Sequence, residues 1–117
     1  MKAKSDYAYN GSKIMTTNNL IWLLKWYYKQ CGEKWDNGDR LNGKGIQINT
    51  MDNPGWGLKI NLEKAKMQNK SFEEINIERS EQDWICCFVK DGMFRGYGGL
   101  TNFPEILQIF RNWVENY

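Results

Sequence analysis

Three carboxylates, Glu78, Glu81 and Asp83, crowd the approach to Trp84. Paired acids beside an apolar ring can work as general acid and base, because the ring raises one pKa above the other. The same residues also make an ordinary solvated acidic rim, and spacing alone does not separate the two readings. The chain contains no histidine among its 117 residues, so the side chain that titrates near neutrality is missing. Ser-His-Asp and Cys-His chemistry are thereby excluded. Gly96-Tyr97-Gly98-Gly99 has the glycine content of a phosphate loop but neither the following Lys-Ser/Thr nor the third glycine of GxGxxG. Its glycines are better read as clearing space for a close-packed neighbour. Cys31, Cys86 and Cys87 form no CxxC pair and, being odd in number, no disulfide framework. Residues 36–43 lack the alternating oxygen ligands and closing glutamate of a calcium loop. No metal, cofactor or catalytic residue is expected.

The six tryptophans are the other conspicuous feature. Trp22, Trp26 and Trp113 sit within helical stripes and read as core, whereas Trp35, Trp56 and Trp84 adjoin expected loops or turns. Half-exposed aromatics of this kind, flanked by Asp52, Arg95 and Tyr97, match the composition of a protein interface centre. They also admit an alternative: a carbohydrate or small-ligand module that stacks its ligand on exposed tryptophans.

The elements that position these residues are legible from periodicity. Residues 1–14 show no period and are read as a flexible extension, leaving 15–117 as a single domain. Thr16, Thr17 and Asn18 offer N-cap side chains ahead of a helix apolar on nearly every face, from Leu20 to Cys31, closed by Gly32. A long exposed loop is expected from Trp35 to Gly45. Ile46, Ile48 and Thr50 then alternate with polar residues, as do Trp56, Leu58, Ile60 and Leu62, giving two half-buried strands joined by a type II turn at Asn53-Pro54-Gly55-Trp56. After a polar connection at 64–70, a third strand is expected near 72–79. Trp84 to Val89 is apolar at both parities and reads as a central strand covered on both faces. Asp91-Gly92 is a type I′ hairpin signal. Thr101 or Asn102 caps a final helix with Pro104 in its first turn. The fold class is α+β: a five-stranded antiparallel meander flanked by an N-terminal and a C-terminal helix.

Charge narrows the partners. The net charge is +2, and it resides in the first fourteen residues, where Lys2, Lys4 and Lys13 face Asp6 alone; from Met15 onward the signs balance. A balanced body lacks the basic footprint that nucleic acid demands. The longest apolar run, Leu20 to Leu24, is too short to span a membrane, so a cytoplasmic protein is expected. Locally, residues 71–83 carry Glu73, Glu74, Glu78, Glu81 and Asp83 against Arg79 alone.

Taken in order, LIWLLKWYYKQC (Leu20 to Cys31), GIQINTMDNPGWGLKINL (Gly45 to Leu62), FEEINIERSEQDWICCFV (Phe72 to Val89) and FRGYGGLTNFPEILQIFRNW (Phe94 to Trp113) resemble the Immunity protein 53 family of bacterial polymorphic toxin systems. The long Trp35 to Gly45 loop, where the family has a shorter turn with a histidine, and the N-terminal extension are departures. The resemblance implies a non-enzymatic immunity protein that binds and neutralises a cognate toxin domain in the cytoplasm. The residues expected to face that toxin are Asp52, Trp56, Glu78, Glu81, Asp83, Trp84, Arg95 and Tyr97.

Overall fold

The computed structural model describes residues 11–32, 45–52, 54–63, 65–67, 69–116, with side chains from Asn19 onward. The expected 35–45 loop, apart from Gly45, and the first ten residues of the expected extension lie outside the described residues. Helix α1 spans Gly11–Gln30, followed by strands β1 (Ile46–Met51), β2 (Gly55–Asn61), β3 (Ile75–Glu78), β4 (Trp84–Lys90) and β5 (Met93–Gly99), and helix α2 (Phe103–Glu115). The class is α+β, with five antiparallel strands and a helix at each end of the chain.

The strand order is β1-β2-β5-β4-β3, so the meander is interrupted once. β2 pairs with β5, and β3 lies at the far edge. The physical reason lies in the connection after β2, which is polar in composition but not in its packing. Leu62, Ala65 and Met67 are buried in it, and Trp113 Nε1 donates to Ser71 O at 2.9 Å. The segment therefore docks under the C-terminal end of α2 and delivers β3 to the opposite edge. Four-residue β3, preceded by exposed Glu73 and Glu74 and ending on exposed Glu78, suits an edge because charge discourages further strand pairing.

Strand β5 occupies the centre although it is the poorest in side chains, and its glycines explain why. A Cβ on Gly96 would lie 2.5 Å from Ile106 Cγ2, and one on Gly98 would lie 2.9 Å from Asn102 Cβ. The first turns of α2 thus rest directly on the β5 backbone. Phe110, fully buried, extends this contact. Its ring centroid lies 4.9 Å from Phe94 on β5, 5.3 Å from Trp26 on α1 and 5.9 Å from Trp113. One aromatic thus ties sheet and both helices together.

All core side chains from the sheet, Leu58, Ile60, Ile85, Cys87 and Phe94, share one parity in the register. Both helices therefore pack on one face. This corrects the reading of β4 as covered on both sides: Ile85 and Cys87 are buried, while Cys86 and Phe88 on the other parity are only half-buried. Among the described residues no helix covers that second face.

Local details differ in instructive ways. Asp91 and Gly92 have φ of 55° and 73°, as a type I′ turn requires. Gly55, by contrast, opens β2 opposite Met51 without the positive φ of a type II turn, and Asn53 of the expected turn lies outside the described residues. Helix α1 begins at Gly11, so Thr16, Thr17 and Asn18 lie inside it instead of capping it. Its girth is less buried than its composition suggests, since Ile21 and Leu24 are 42% and 40% exposed. Replacing Gly96 by alanine should lower unfolding free energy by about 1–3 kcal/mol, because Ile106 has no room to yield; denaturant titration of Gly96→Ala against wild type measures it.

Candidate functional site

The end of the sheet where β2 and β4 begin and β5 finishes holds a cleft of about 390 Å³ lined by Pro54, Glu81, Gln82, Trp84 and Leu100. Each wall has a distinct origin. Pro54 belongs to the β1–β2 connection, Glu81 and Gln82 to the β3–β4 loop, and Leu100 follows β5. Leu100 is 58% exposed, an unusual position for a leucine.

The wall carrying Glu81 is held rigid from behind. Asn102, only 4% exposed, occupies the N-cap position of α2 but makes no side-chain cap bond. Instead its Oδ1 accepts from the backbone N–H of Trp84 at 3.3 Å, and its Nδ2 donates to Asp83 Oδ1 at 2.9 Å. Arg79 completes the brace. Its Nη1 donates to Asp83 Oδ1 at 2.8 Å and its Nη2 to Glu105 Oε2 at 2.7 Å, while the Asp83 carbonyl closes the loop by accepting from the N–H groups of Arg79 and Ser80. The loop is thereby fastened to the first turn of α2.

This brace settles the electrostatics of Asp83. The Asn102 hydrogen bond first, then Arg79, hold its carboxyl below the usual range, the opposite of what an acid catalyst at this place would need. Arg79 likewise holds Glu105 low. Burial pushes the Cys87 thiol up to about 12 and also raises Cys86, so neither is a thiolate nucleophile at neutral pH.

The eight residues singled out from the sequence fall into separate groups. Glu81 and Trp84 share the cleft. Asp52 lies exposed in the connection beside Pro54, and Glu78 pairs across the ladder with Trp84. Asp83 stands behind the cleft in the Asn102 brace. Trp56 packs its indole 5.5 Å from Phe103, on the helix-covered face with Leu58 and Ile60, and donates Nε1 to Leu100 O at 3.0 Å. It therefore supports the cleft from beneath. Tyr97 lies on the second face, its ring beside Gly57, where an added Cβ would sit 3.3 Å away, and 6.2 Å from Phe88. Arg95 is further along that face, its guanidinium turned toward Lys90 O and Met93 Sδ.

Contributors not singled out are Pro54, Gln82 and Leu100 in the cleft, Arg79, Asn102 and Glu105 in the brace, and Phe88 on the open face. The even parity of Phe88 with Trp84 was available as a signal, as was the isolated Leu100 after the glycines. The diversion of Asn102 from capping to bracing had none. Trp22 and Trp26 stack on each other at 5.9 Å, half-buried against the core rather than beside the cleft. Trp22, Trp26 and Trp113 pack around Phe110, Trp56 lies against Phe103, and Trp35 is outside the described residues.

Among the described residues no helix is long and apolar enough to cross a membrane. A family model described as Immunity protein 53 matches residues 20–115, which takes in the cleft, the brace, the second half of α1 and all of α2. Searches of curated proteins and of solved structures found no match.

The brace has a pH signature. Asp83 and Glu105 have folded-state pKa values below their unfolded ones, so the stability they confer is complete above the ordinary carboxylate range and is lost as pH falls below about 4. Asn102→Ala should cost about 1–3 kcal/mol at neutral pH by leaving the Trp84 N–H without its acceptor. It should also flatten the acid limb of the stability curve, as read by thermal midpoints across pH.

Proposed function

The chain belongs to the Immunity protein 53 family, and we propose that it neutralises a cognate polymorphic toxin domain by direct protein–protein contact in the cytoplasm, without catalysis. The observation that carries this reading is the family match over residues 20–115. The geometry supports it through a rigid cleft at one sheet end, continuous with a sheet face that presents Cys86, Phe88 and Tyr97 with no helix across it among the described residues.

The proposed contact surface is the Trp84 cleft, the adjoining row of Tyr97, Phe88 and Arg95, and the acidic edge of Glu78 and Glu81, with Asp52 at its rim. Half-buried aromatics next to an arginine have the chemistry of interface anchors, which supply large rigid contact area at small entropic cost. Trp56 and Asp83 contribute indirectly, by holding Leu100 and the β3–β4 loop in place. The edge carries local negative charge, although the body is balanced, so charge steers the toxin toward one end of the sheet.

Co-expression with the toxin encoded beside this gene should restore growth and yield a complex on co-purification. Continued killing despite soluble, folded protein would refute the reading. Glu78→Lys should weaken the complex by roughly tenfold and reduce its salt dependence, with thermal stability little changed because the residue lies exposed on an edge strand; titration calorimetry at low and high salt measures both.

A further inference from the structure

We infer that the Trp84 cleft is a receptor for a single cationic side chain, an arginine or a lysine, presented by the partner. This inference rests on the toxin-binding reading above and specifies its chemistry at one point.

The argument starts from the lining. Trp84 and Leu100 supply apolar surface, Pro54 closes one side, and Glu81 and Gln82 supply the polar side. Among the described residues no lysine or arginine lines the cleft. The nearest basic residue in the loop, Arg79, is committed to Asp83 and Glu105, and among the described residues Glu81 makes no ion pair. The cleft thus presents an exposed carboxylate that a cationic group from outside is free to pair.

Other occupants fit less well. An apolar side chain would strip water from Glu81 without pairing it, which costs more than the apolar walls return. An anion meets Glu81 directly, with Glu78 facing Trp84 across the ladder. A guanidinium satisfies both halves at once: its flat face stacks on an indole while its edge donates two hydrogen bonds to a carboxylate. Preorganisation favours the same answer. The Trp84 backbone and the β3–β4 loop are pinned by Asn102 and Arg79, so little ordering remains to be done on binding. Trp84 and Glu81 come from the start of a strand and from a loop, and only the brace sets them against one cavity.

The test uses the full chain and the catalytically inactivated toxin domain encoded beside its gene. Glu81→Gln removes the charge and keeps the shape, and Trp84→Phe keeps an apolar wall but weakens the cation attraction. Thermal midpoints of both variants should match wild type to within a few degrees, which separates binding from folding. Glu81→Gln should weaken the complex about tenfold or more and lower its salt dependence; Trp84→Phe should weaken it about threefold or more. An alanine scan of the toxin's arginines and lysines should find one position whose effect is not additive with Glu81→Gln. Wild-type affinity in both variants, or additivity at every basic position, overturns the cation receptor while leaving the immunity reading intact. Absence of any complex with the wild-type chain overturns both.

Discussion

Everything distinctive about this fold depends on how closely helix α2 approaches strand β5. A helix normally stands off a sheet by the thickness of the side chains between them, but Gly96 and Gly98 leave Ile106 and Asn102 resting on backbone. That contact costs β5 its own side-chain burial and, in glycine entropy, some strand stability. It is offset by flanking β5 with β2 and β4, so that both sides of its ladder are hydrogen-bonded, and by the large aromatics at the other end of the helix. Phe94 and Phe110 lie at 4.9 Å further along the helix. The partners of α2 are graded by sequence: glycines under its first turns, large rings further on.

From that close approach follows the job of Asn102. Brought down onto Gly98 and Gly99, it sits within reach of the β3–β4 loop, and its amide is spent on the Trp84 N–H and Asp83 rather than on capping its own helix. A Cβ on Gly99 would collide with the carbonyl of Gln82, so the same glycine run also admits the loop. Structure and site are therefore coupled at one place. The residues that let the helix settle also fix the wall of the cleft, and the Arg79 pairs, exposed to solvent and individually weak, act on a loop that the buried asparagine has already positioned.

Local signals were legible and long-range ones were not. The Asp91-Gly92 turn and the alternation of Leu58 and Ile60 are decided by neighbours in sequence, and the structure has them as read. Trp56 shares the parity of those two residues, so its place on the helix-covered face was also within reach of the pattern. The β2–β5 pairing was not, because it is chosen by where α2 fits and by Leu62, Ala65 and Met67 burying a connection that looks polar. Nor could the two faces of β4 be told apart. Cys86 and Phe88 are as apolar as Ile85 and Cys87 in composition, and only the placement of both helices on one side leaves the first pair uncovered. Thr16 to Asn18 read as caps because their chemistry suits the role, but a helix already under way from Gly11 overrides that preference. For the site, residue types suggested an aromatic and acidic surface, while the division into cleft, brace and open face required the register.

Among the described residues both helices lie on one face of the sheet, as is common for antiparallel sheets, and the arrangement has consequences for binding. Burying Phe88 and Tyr97 under a third helix would stabilise the isolated chain, yet both are only half-buried, with Gly57 beside the Tyr97 ring. An aromatic surface alone gives area without orientation. The cleft at its end supplies the orientation, because a pocket with one carboxylate and one indole accepts a partner in few poses, and the acidic edge of β3 biases approach toward that end. The near-zero charge of the body then works in favour of selectivity: with no general field to attract any basic protein, attraction is confined to the few ångströms around Glu78 and Glu81, where screening by salt is appreciable and only a matched surface stays bound.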